Sequence, residues 1–403
     1  MSSVLLKNSI LGGDITVPPS KSVSHRALIC SFLANAGVVE PIIDSNDMRA
    51  TQQVISAIRE GREVLDCIES GSTMRFMIPV VAALGLNVTF VGQGSLLTRT
   101  LGAYLDLLPQ HGVSVESNGY LPIKLSGRLQ SGTFEIAGDV SSQYITGLLM
   151  ALPLLDGDSK IVLTTGLQSK PYVDITLKVL SDFGIEVKET DYGYFVAGGQ
   201  KYKPSDYRVE SDWSQAAFFL AAGVLGGELM LHGLDPNSAQ GDKEIVTVLK
   251  QFGGDIECRN GVYTTKKSAL HGIDIDAENI PDLVPILAVV AAYADGDTTI
   301  FGAERLRYKE SDRIESVCSN LVRLGAEVEQ RPDGMVIHGG KRLKGGELVG
   351  FNDHRILMAF SVAALFADGD TTITDAESIN KSYPDFFEDY NNLGGKASVL
   401  NNR

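Results

Sequence analysis

The feature that most constrains this chain is an internal repeat. A polar cluster suited to a helix start precedes an apolar run rich in small residues. A Gly or Asp-Gly turn and a β-branched strand follow. The pattern runs from Ser20-Lys21-Ser22 to Ala36-Gly37, from Ser70-Gly71-Ser72-Thr73 to Leu84-Gly85, and from Ser141-Ser142-Gln143 to Asp156-Gly157. It recurs from Ser211-Asp212 to Gly226-Gly227, from Pro281-Asp282 to Asp295-Gly296, and from Asn352-Asp353-His354-Arg355 to Asp368-Gly369. The last two occurrences share the string DGDTTI, at 295–300 and 368–373. Between occurrences, amphipathic stretches (Leu101–His111, Tyr172–Phe183, Lys243–Phe252, Arg313–Leu324) each lead to a glycine suited to a left-handed helix C-cap. Short alternating strands come next. Each repeat therefore reads β-α-β-α-β-β. One repeat buries too little surface to stand alone, and 403 residues are too many for one ordinary core. The expected fold is α/β (α+β), with six repeats divided three and three between two domains.

The helix starts carry the chemistry. A helix N-terminus presents unpaired N–H groups and the positive end of the dipole, and a lone Ser-rich start is an ordinary cap. Here Lys21, Arg26, Arg75 and Arg355 fall within the first turns, where the dipole disfavours cations; an anion between cation and dipole would reconcile them. In PPSKSVSHRAL (18–28), Lys21, Ser22 and Arg26 suit a phosphate or carboxylate, although a solvated basic helix start fits equally. SGSTMRF (70–76) offers a second nest around Gly71 and Ser72, with Arg99 following in a Gly- and Thr-rich loop. Ser141, Ser142 and Gln143 supply two hydroxyls and an amide. In RLRYKESDR (305–313), Lys309 and Arg313 share a face if the stretch is helical, with Glu310 beside them; an exposed ion-paired helix is the other reading. NDHR (352–355) and Lys381 complete the set. There is no P-loop lysine, G-x-G-x-x-G after a strand, G-x-S-x-G elbow or H-E-x-x-H, so nucleotide, dinucleotide, serine-hydrolase and zinc chemistry lose weight.

The formal charge of −15 argues against nucleic-acid or anionic-membrane partners, while leaving room for small anions in a locally basic cleft. The longest apolar run, near Val284–Ala294, is too short to span a bilayer and contains Pro285. No secretory or transit signal is evident, so a soluble cytoplasmic protein is expected. Cys30, Cys67, Cys258 and Cys318 form no C-x-x-C pair and are expected as buried free thiols. The six histidines lack metal-ligand spacing, so no metal site is expected.

Taken in order, PPSKSVSHRALI, SGSTMRF, GDVSSQYITGLLMALPL, SKPYVDITLKVL, IPDLVP, YKESDRI, FNDHRILMAF and NKSYPDFF closely resemble the 5-enolpyruvylshikimate-3-phosphate synthase family, from about Val17 to Phe387. The resemblance implies a two-domain inside-out barrel, with residues 19–221 continuous and 1–18 joined to 222–403, and an active site in the cleft. It implies enolpyruvyl transfer from phosphoenolpyruvate to the 5-hydroxyl of shikimate 3-phosphate, without metal or organic cofactor; a monomer is expected. Lys21, Ser22 and Arg26 then match shikimate 3-phosphate contacts, with Lys21 also facing phosphoenolpyruvate. Ser141, Ser142, Ser169 and Tyr172 match residues holding the shikimate phosphate and ring, and Gln143 one between the substrates. Arg99, Arg313, Arg355 and Lys381 resemble phosphoenolpyruvate clamps, with Gly71 and Ser72 nearby. Asp282 and Lys309 match contacts to the shikimate hydroxyls. Lys21, Asp282, Glu310 and His354 make up the catalytic set, Asp282 accepting the hydroxyl proton and Glu310 with Lys21 serving the methylene carbon.

Three positions depart from the family pattern: Glu69 where Asn is common, Arg305 where Asn is frequent, and Phe76 where Pro is frequent. A carboxylate at Glu69 would repel phosphoenolpyruvate unless it turns away or pairs. Two rival readings are a UDP-N-acetylglucosamine enolpyruvyl transferase and a noncatalytic two-domain anion-binding protein. The first resembles a pattern with a reactive Cys near where Gly92–Arg99 stands here, and that stretch has none. The second needs no carboxylates facing anions.

Overall fold

The computed structural model describes residues 2–401. The chain divides into two compact units, Pro19–Val209 and Met1–Pro18 with Glu210–Arg403.

The unit formed by residues 19–209 contains six α-helices among the described residues: α1 (Lys21–Ala34), α2 (Asn46–Arg59), α3 (Gly71–Leu84), α4 (Gly102–Gln110), α5 (Ser142–Ala151) and α6 (Lys170–Asp182). Ser20, Ser70 and Ser141 cap α1, α3 and α5, each side chain accepting a backbone N–H of the first turn. One repeat is complete in sequence order: strand Val64–Asp66, α3, strand Val88–Val91, α4, then strands Val113–Glu116 and Ile123–Gly127. Its two leading strands pair in parallel and the rest antiparallel, giving a four-stranded sheet. Strands Thr133–Ile136, Ser159–Leu163, Val187–Thr190 and Gly193–Val196 repeat the arrangement around α5 and α6. The third sheet is a two-stranded parallel pair, Val39–Glu40 with Tyr207–Arg208.

The other unit holds α7 (Trp213–Gly226), α8 (Ile245–Gln251), α9 (Val284–Tyr293), α10 (Arg313–Arg323), α11 (His354–Phe366) and α12 (Phe386–Asn392). The N-terminal residues belong here because strand Ser2–Leu6 pairs with Thr371–Thr374 and Ala397–Asn401, and Gly12–Thr16 pairs with Glu228–His232. Helices α7, α9 and α11 are apolar on nearly every face and pack on one another, because a helix with no polar side must be surrounded by protein. In contrast, α10 buries Ile314, Val317, Cys318 and Leu321, one stripe at helical spacing. The twin DGDTTI strings lead into equivalent strands, Asp297–Phe301 and Thr371–Thr374, each in parallel register with the strand before its helix.

Two expectations change. The second crossing falls at 209/210 rather than 221/222, because Leu220 lies inside α7 and is fully buried in this unit's core. Cys258 is exposed, on the edge strand Asp255–Arg259, whereas Cys30, Cys67 and Cys318 are buried. Among the described residues no helix is long and apolar enough to cross a membrane.

The contact between α3 and α5 is set by Gly147. A Cβ there would strike the Tyr104 hydroxyl, the Arg75 carbonyl and Pro79. That hydroxyl donates to the carbonyls of Arg75 (2.8 Å) and Tyr144 (3.0 Å), tying α4 to both helices. Gly147→Ala is therefore expected to destabilise the protein by about 2 kcal/mol despite Ala's better helix propensity, seen as a lower urea midpoint.

Candidate functional site

In the 19–209 unit the sequence-predicted residues gather at the starts of α1, α3, α5 and α6. Lys21, the first residue of α1, pairs with Asp47 of α2 (Nζ–Oδ2 2.7 Å). Arg26 is 3% exposed and joins α1 to α6: Nη1 donates to the Ser22 carbonyl (2.6 Å), Nη2 to the Tyr172 carbonyl (2.9 Å), and Nε to Thr176 Oγ1 (2.8 Å). Its guanidinium also lies 5.0 Å from the centre of the Phe76 ring, which gives that departure from the family pattern a role. Burial lowers Arg26 to about 10, still well above neutrality. Burial, with Lys21 and Arg26 close by, drives His25 well below its usual value, so its ring is neutral. From His25 Nδ1 a buried chain runs through Thr51 Oγ1 (2.7 Å) and Thr73 Oγ1 (2.8 Å) to the Ser70 cap (2.8 Å), linking α1, α2 and α3.

Gln143 bridges α5 to α3. Its Oε1 accepts from Arg75 Nη1 (2.6 Å) and its Nε2 donates to Ser72 Oγ (3.0 Å). Gly71 lies directly beneath the Arg99 guanidinium: a Cβ there would collide with Arg99 and touch Arg75. Arg99 is thus held over the α3 start by the 3-10 turn Gly94–Thr98. The Glu69 carboxyl lies against Gly94, whose φ of +58° and lack of Cβ admit it. Ser142 opens α5 behind the Ser141 cap, and Ser169, at φ +54°, precedes α6, which carries Tyr172.

The other unit assembles Asp282, Lys309, Glu310, Arg313 and Arg355 into one ion-paired network. Arg313 is its hub, with the side chain 1% exposed. It donates Nε to Asp353 Oδ2 (2.9 Å), Nη1 to Asp282 Oδ1 (2.8 Å) and Nη2 to Glu310 Oε2 (2.9 Å). Asp282 Oδ2 takes Arg355 Nη2 at 2.9 Å, and Lys309 Nζ stands 3.7 Å from Asp282 Oδ1. Burial alone would raise the Asp282 carboxyl, but Arg355, Lys309 and Arg313 together hold it well below the usual range. Burial, aided by Arg313 and Arg305, lowers Lys309 against the pull of Asp282 and Glu310.

Local structure explains the placement. Asp282 sits in the 3-10 turn Pro281–Leu283 ahead of α9 and caps no helix, which leaves both oxygens for cations. Asp353 caps α11, accepting the Arg355 N–H at 2.9 Å while also receiving Arg313. His354 is buried at the same start, and Lys381 Nζ donates to the Asn352 carbonyl (2.8 Å). The shared helical face expected of Lys309 and Arg313 is absent: the chain forms a 3-10 turn over Glu304–Tyr308, Lys309 is extended, and α10 begins at Arg313. Both still reach Asp282, because the break folds Lys309 back. Arg305 donates to the Glu278 carbonyl (2.8 Å), fastening that turn.

Sequence reasoning passed over Asp47 and Asp353 as site residues. Each occupies an ordinary place for an acid, the first turn or the cap of a helix, and only the fold shows the cation it meets. Doubling as a cap next to an Arg was the one legible hint at Asp353.

Comparisons with known proteins place the chain in a family. Residues 59–390 match the family described as EPSP synthase (3-phosphoshikimate 1-carboxyvinyltransferase). A 3-phosphoshikimate 1-carboxyvinyltransferase of Clostridium novyi (strain NT) is 42% identical over 427 residues, covering 98% of each chain. One of Clostridium acetobutylicum is 43% identical over 424 residues, again covering 98% of each. The structure of EPSP synthase from Acinetobacter baumannii superimposes with a TM-score of 0.83 at 26% identity, covering 100% of both chains. With a family match over most of its length and relatives above two-fifths identity end to end, the chain belongs to the EPSP synthase family.

Proposed function

We propose that this protein transfers the enolpyruvyl group of phosphoenolpyruvate to the 5-hydroxyl of shikimate 3-phosphate and releases inorganic phosphate. The observation that carries the reading is the Asp282 carboxylate ringed by Arg355, Arg313 and Lys309, with Glu310 on the same hub. Anion binding alone needs cations; carboxylates interleaved with them supply proton transfer.

Lys21, Ser22, Arg26, Ser141, Ser142, Ser169 and Tyr172 serve shikimate 3-phosphate, and Gln143 lies at the junction with the second substrate. Arg99, with Gly71 and Ser72, and Arg313, Arg355 and Lys381 serve phosphoenolpyruvate. Asp282 and Lys309 serve the shikimate hydroxyls. In the addition step the hydroxyl oxygen bonds to C2 of phosphoenolpyruvate and loses its proton to Asp282, while Glu310, with Lys21, delivers a proton to the methylene carbon. In the elimination step the methyl group formed there returns a proton, the C2–O bond to phosphate breaks, and the enol double bond re-forms. His354 completes the acid/base set.

The ion pairs also explain when Asp282 becomes a base. Pinned by three cations, it holds a proton poorly. An anion that draws Arg355 and Lys309 toward itself removes part of that stabilisation, so proton affinity rises only once substrate is bound. The same reading has the protein acting as a monomer in the cytoplasm, in keeping with its four free cysteines.

Phosphate release from phosphoenolpyruvate should require shikimate 3-phosphate, and mass spectrometry should find the enolpyruvyl ether; release without the acceptor, or none with it, overturns the assignment. Asp282→Asn should lower kcat by about 100- to 10,000-fold with a smaller change in KM. For Glu310→Gln, incorporation of solvent deuterium into the product methylene should fall along with turnover, and incorporation at the wild-type rate would remove Glu310 from that role.

A further inference from the structure

Lys309 and Glu310 lie on a segment with little apolar packing of its own. Leu306 is buried, but Tyr308 is 75% exposed, and Lys309 is extended between the 3-10 turn Glu304–Tyr308 and α10. Their placement therefore depends on polar contacts to either side. On the C-terminal side, Ser311 Oγ donates to Asp353 Oδ2 (3.1 Å), and Arg313 is fixed by its three carboxylates. On the N-terminal side the fastening is Arg307, which the mechanism above does not use.

The Arg307 guanidinium engages all three of its nitrogens. Nε donates to the Pro332 carbonyl (2.9 Å) and Nη2 to the Arg331 carbonyl (2.8 Å), a fork onto two successive peptide groups. Both carbonyls lie at the turn of the hairpin formed by strands Glu327–Arg331 and Gly334–His338. The Ala303 N–H donates to the next carbonyl of that turn, Asp333 (2.8 Å), so one hairpin end holds both Ala303 and Arg307. Nη1 reaches forward, past Lys309 and Glu310, to Asp312 Oδ2 (2.9 Å). Asp312 is also the cap of α10, its Oδ1 accepting the Glu315 N–H (3.0 Å). The loop closed in this way presents Lys309 Nζ 3.7 Å from Asp282 Oδ1 and Glu310 Oε2 2.9 Å from Arg313 Nη2. With Arg307 and Asp312 24% and 37% exposed, their ion pair alone would be a minor surface contact. The carbonyl fork is the part that only arginine supplies, because lysine keeps the charge without the planar pair of donors.

We propose that Arg307 is a positioning residue for enolpyruvyl transfer: by forking onto the Arg331 and Pro332 carbonyls, it holds the segment from which Lys309 and Glu310 reach Asp282 and Arg313. It touches none of the reacting groups. Lys309 and Glu310 depend on it for where they stand, whereas Asp282, Arg355 and Lys381 come from other segments. Loss of the fork therefore weakens proton delivery and the grip on the shikimate hydroxyls, and leaves phosphoenolpyruvate binding nearly unchanged. The inference rests on the reaction proposed above.

The test compares wild type with Arg307→Lys, with Asp312→Asn, and with a variant carrying one glycine inserted after Asp333. The insertion loosens the turn that bears the carbonyls and leaves Arg307 in place. In Arg307→Lys, kcat should fall about 10- to 100-fold and KM for shikimate 3-phosphate should rise, while KM for phosphoenolpyruvate stays within about twofold. Hydrogen exchange of the backbone amides over 304–312 should quicken by about tenfold in the free variant, with α9 and α11 unchanged. The insertion should reproduce both effects. Asp312→Asn keeps a capping side chain and the fork, so its kcat should stay within about threefold of wild type. Wild-type kcat in Arg307→Lys overturns the proposal. So does a loss of activity accompanied by faster exchange throughout the unit, which would make Arg307 a stabilising residue only. Should Arg307→Lys fail to fold, the insertion decides alone. Wild-type protein that releases no phosphate with both substrates sinks the reaction and this role with it; active wild type with unchanged variants sinks only the role of Arg307.

Discussion

A guanidinium with only 1% of its surface exposed has lost its hydration and must recover that energy from its neighbours. Arg313 does so through three carboxylates at once, Asp353, Asp282 and Glu310, each within 2.9 Å. These acids come from separate places: the cap of α11, the turn before α9, and the segment leading into α10. One side chain thereby fixes the starts of three helices against each other. Removing a partner from such a buried group typically costs about 3–5 kcal/mol, because the charge left behind is uncompensated. The network is therefore rigid in its charges, and the rest of the site is arranged around what Arg313 has already claimed.

The two units satisfy their misplaced cations by different means. At the starts of α1 and α3, Arg26 and Arg75 rest largely on neutral partners: carbonyls, a threonine hydroxyl, a glutamine amide oxygen and the faces of Phe76 and Tyr144. Such partners solvate a cation without cancelling its charge, so a standing positive potential remains at these helix starts. Around Arg313 and Arg355 the partners are carboxylates, and the field is cancelled until something displaces them. The first arrangement suits a ligand held throughout the reaction. The second suits one whose arrival must change the chemistry.

Much of this was legible locally. Caps such as Ser20, Ser70, Ser141, Asp212 and Asp353, and left-handed glycines such as Gly112, Gly184, Gly253 and Gly325, act within a few residues of themselves, so a linear reading finds them. The misses share a cause. The crossing expected near Leu220 overlooked that α7 is one uninterrupted core helix, a fact of packing rather than of pattern. The pairing of Lys21 with Asp47 spans two helices, and that of Arg313 with Asp353 two repeats. Glu69 looked repulsive in the chain because its neighbours there are Gly71 and Ser72; in the fold its carboxyl goes to Gly94.

The same physics bears on why the proposed mechanism would have its base buried among cations. A strong, exposed base beside phosphoenolpyruvate would promote attack by water as readily as attack by the acceptor. Asp282, held well below the ordinary carboxylate range, is nearly inert in that sense. Its basicity depends on cations that also have reason to bind the substrate anion, so base strength and substrate occupancy rise together. In the proposed mechanism, each cation drawn from Asp282 to the substrate would both polarise the leaving phosphate and free the carboxylate to accept a proton. On that proposal, a network that looks like structural ion pairing in the free protein stores the activation of the base, and the charge balance around Arg313 sets how much of it an incoming anion can release.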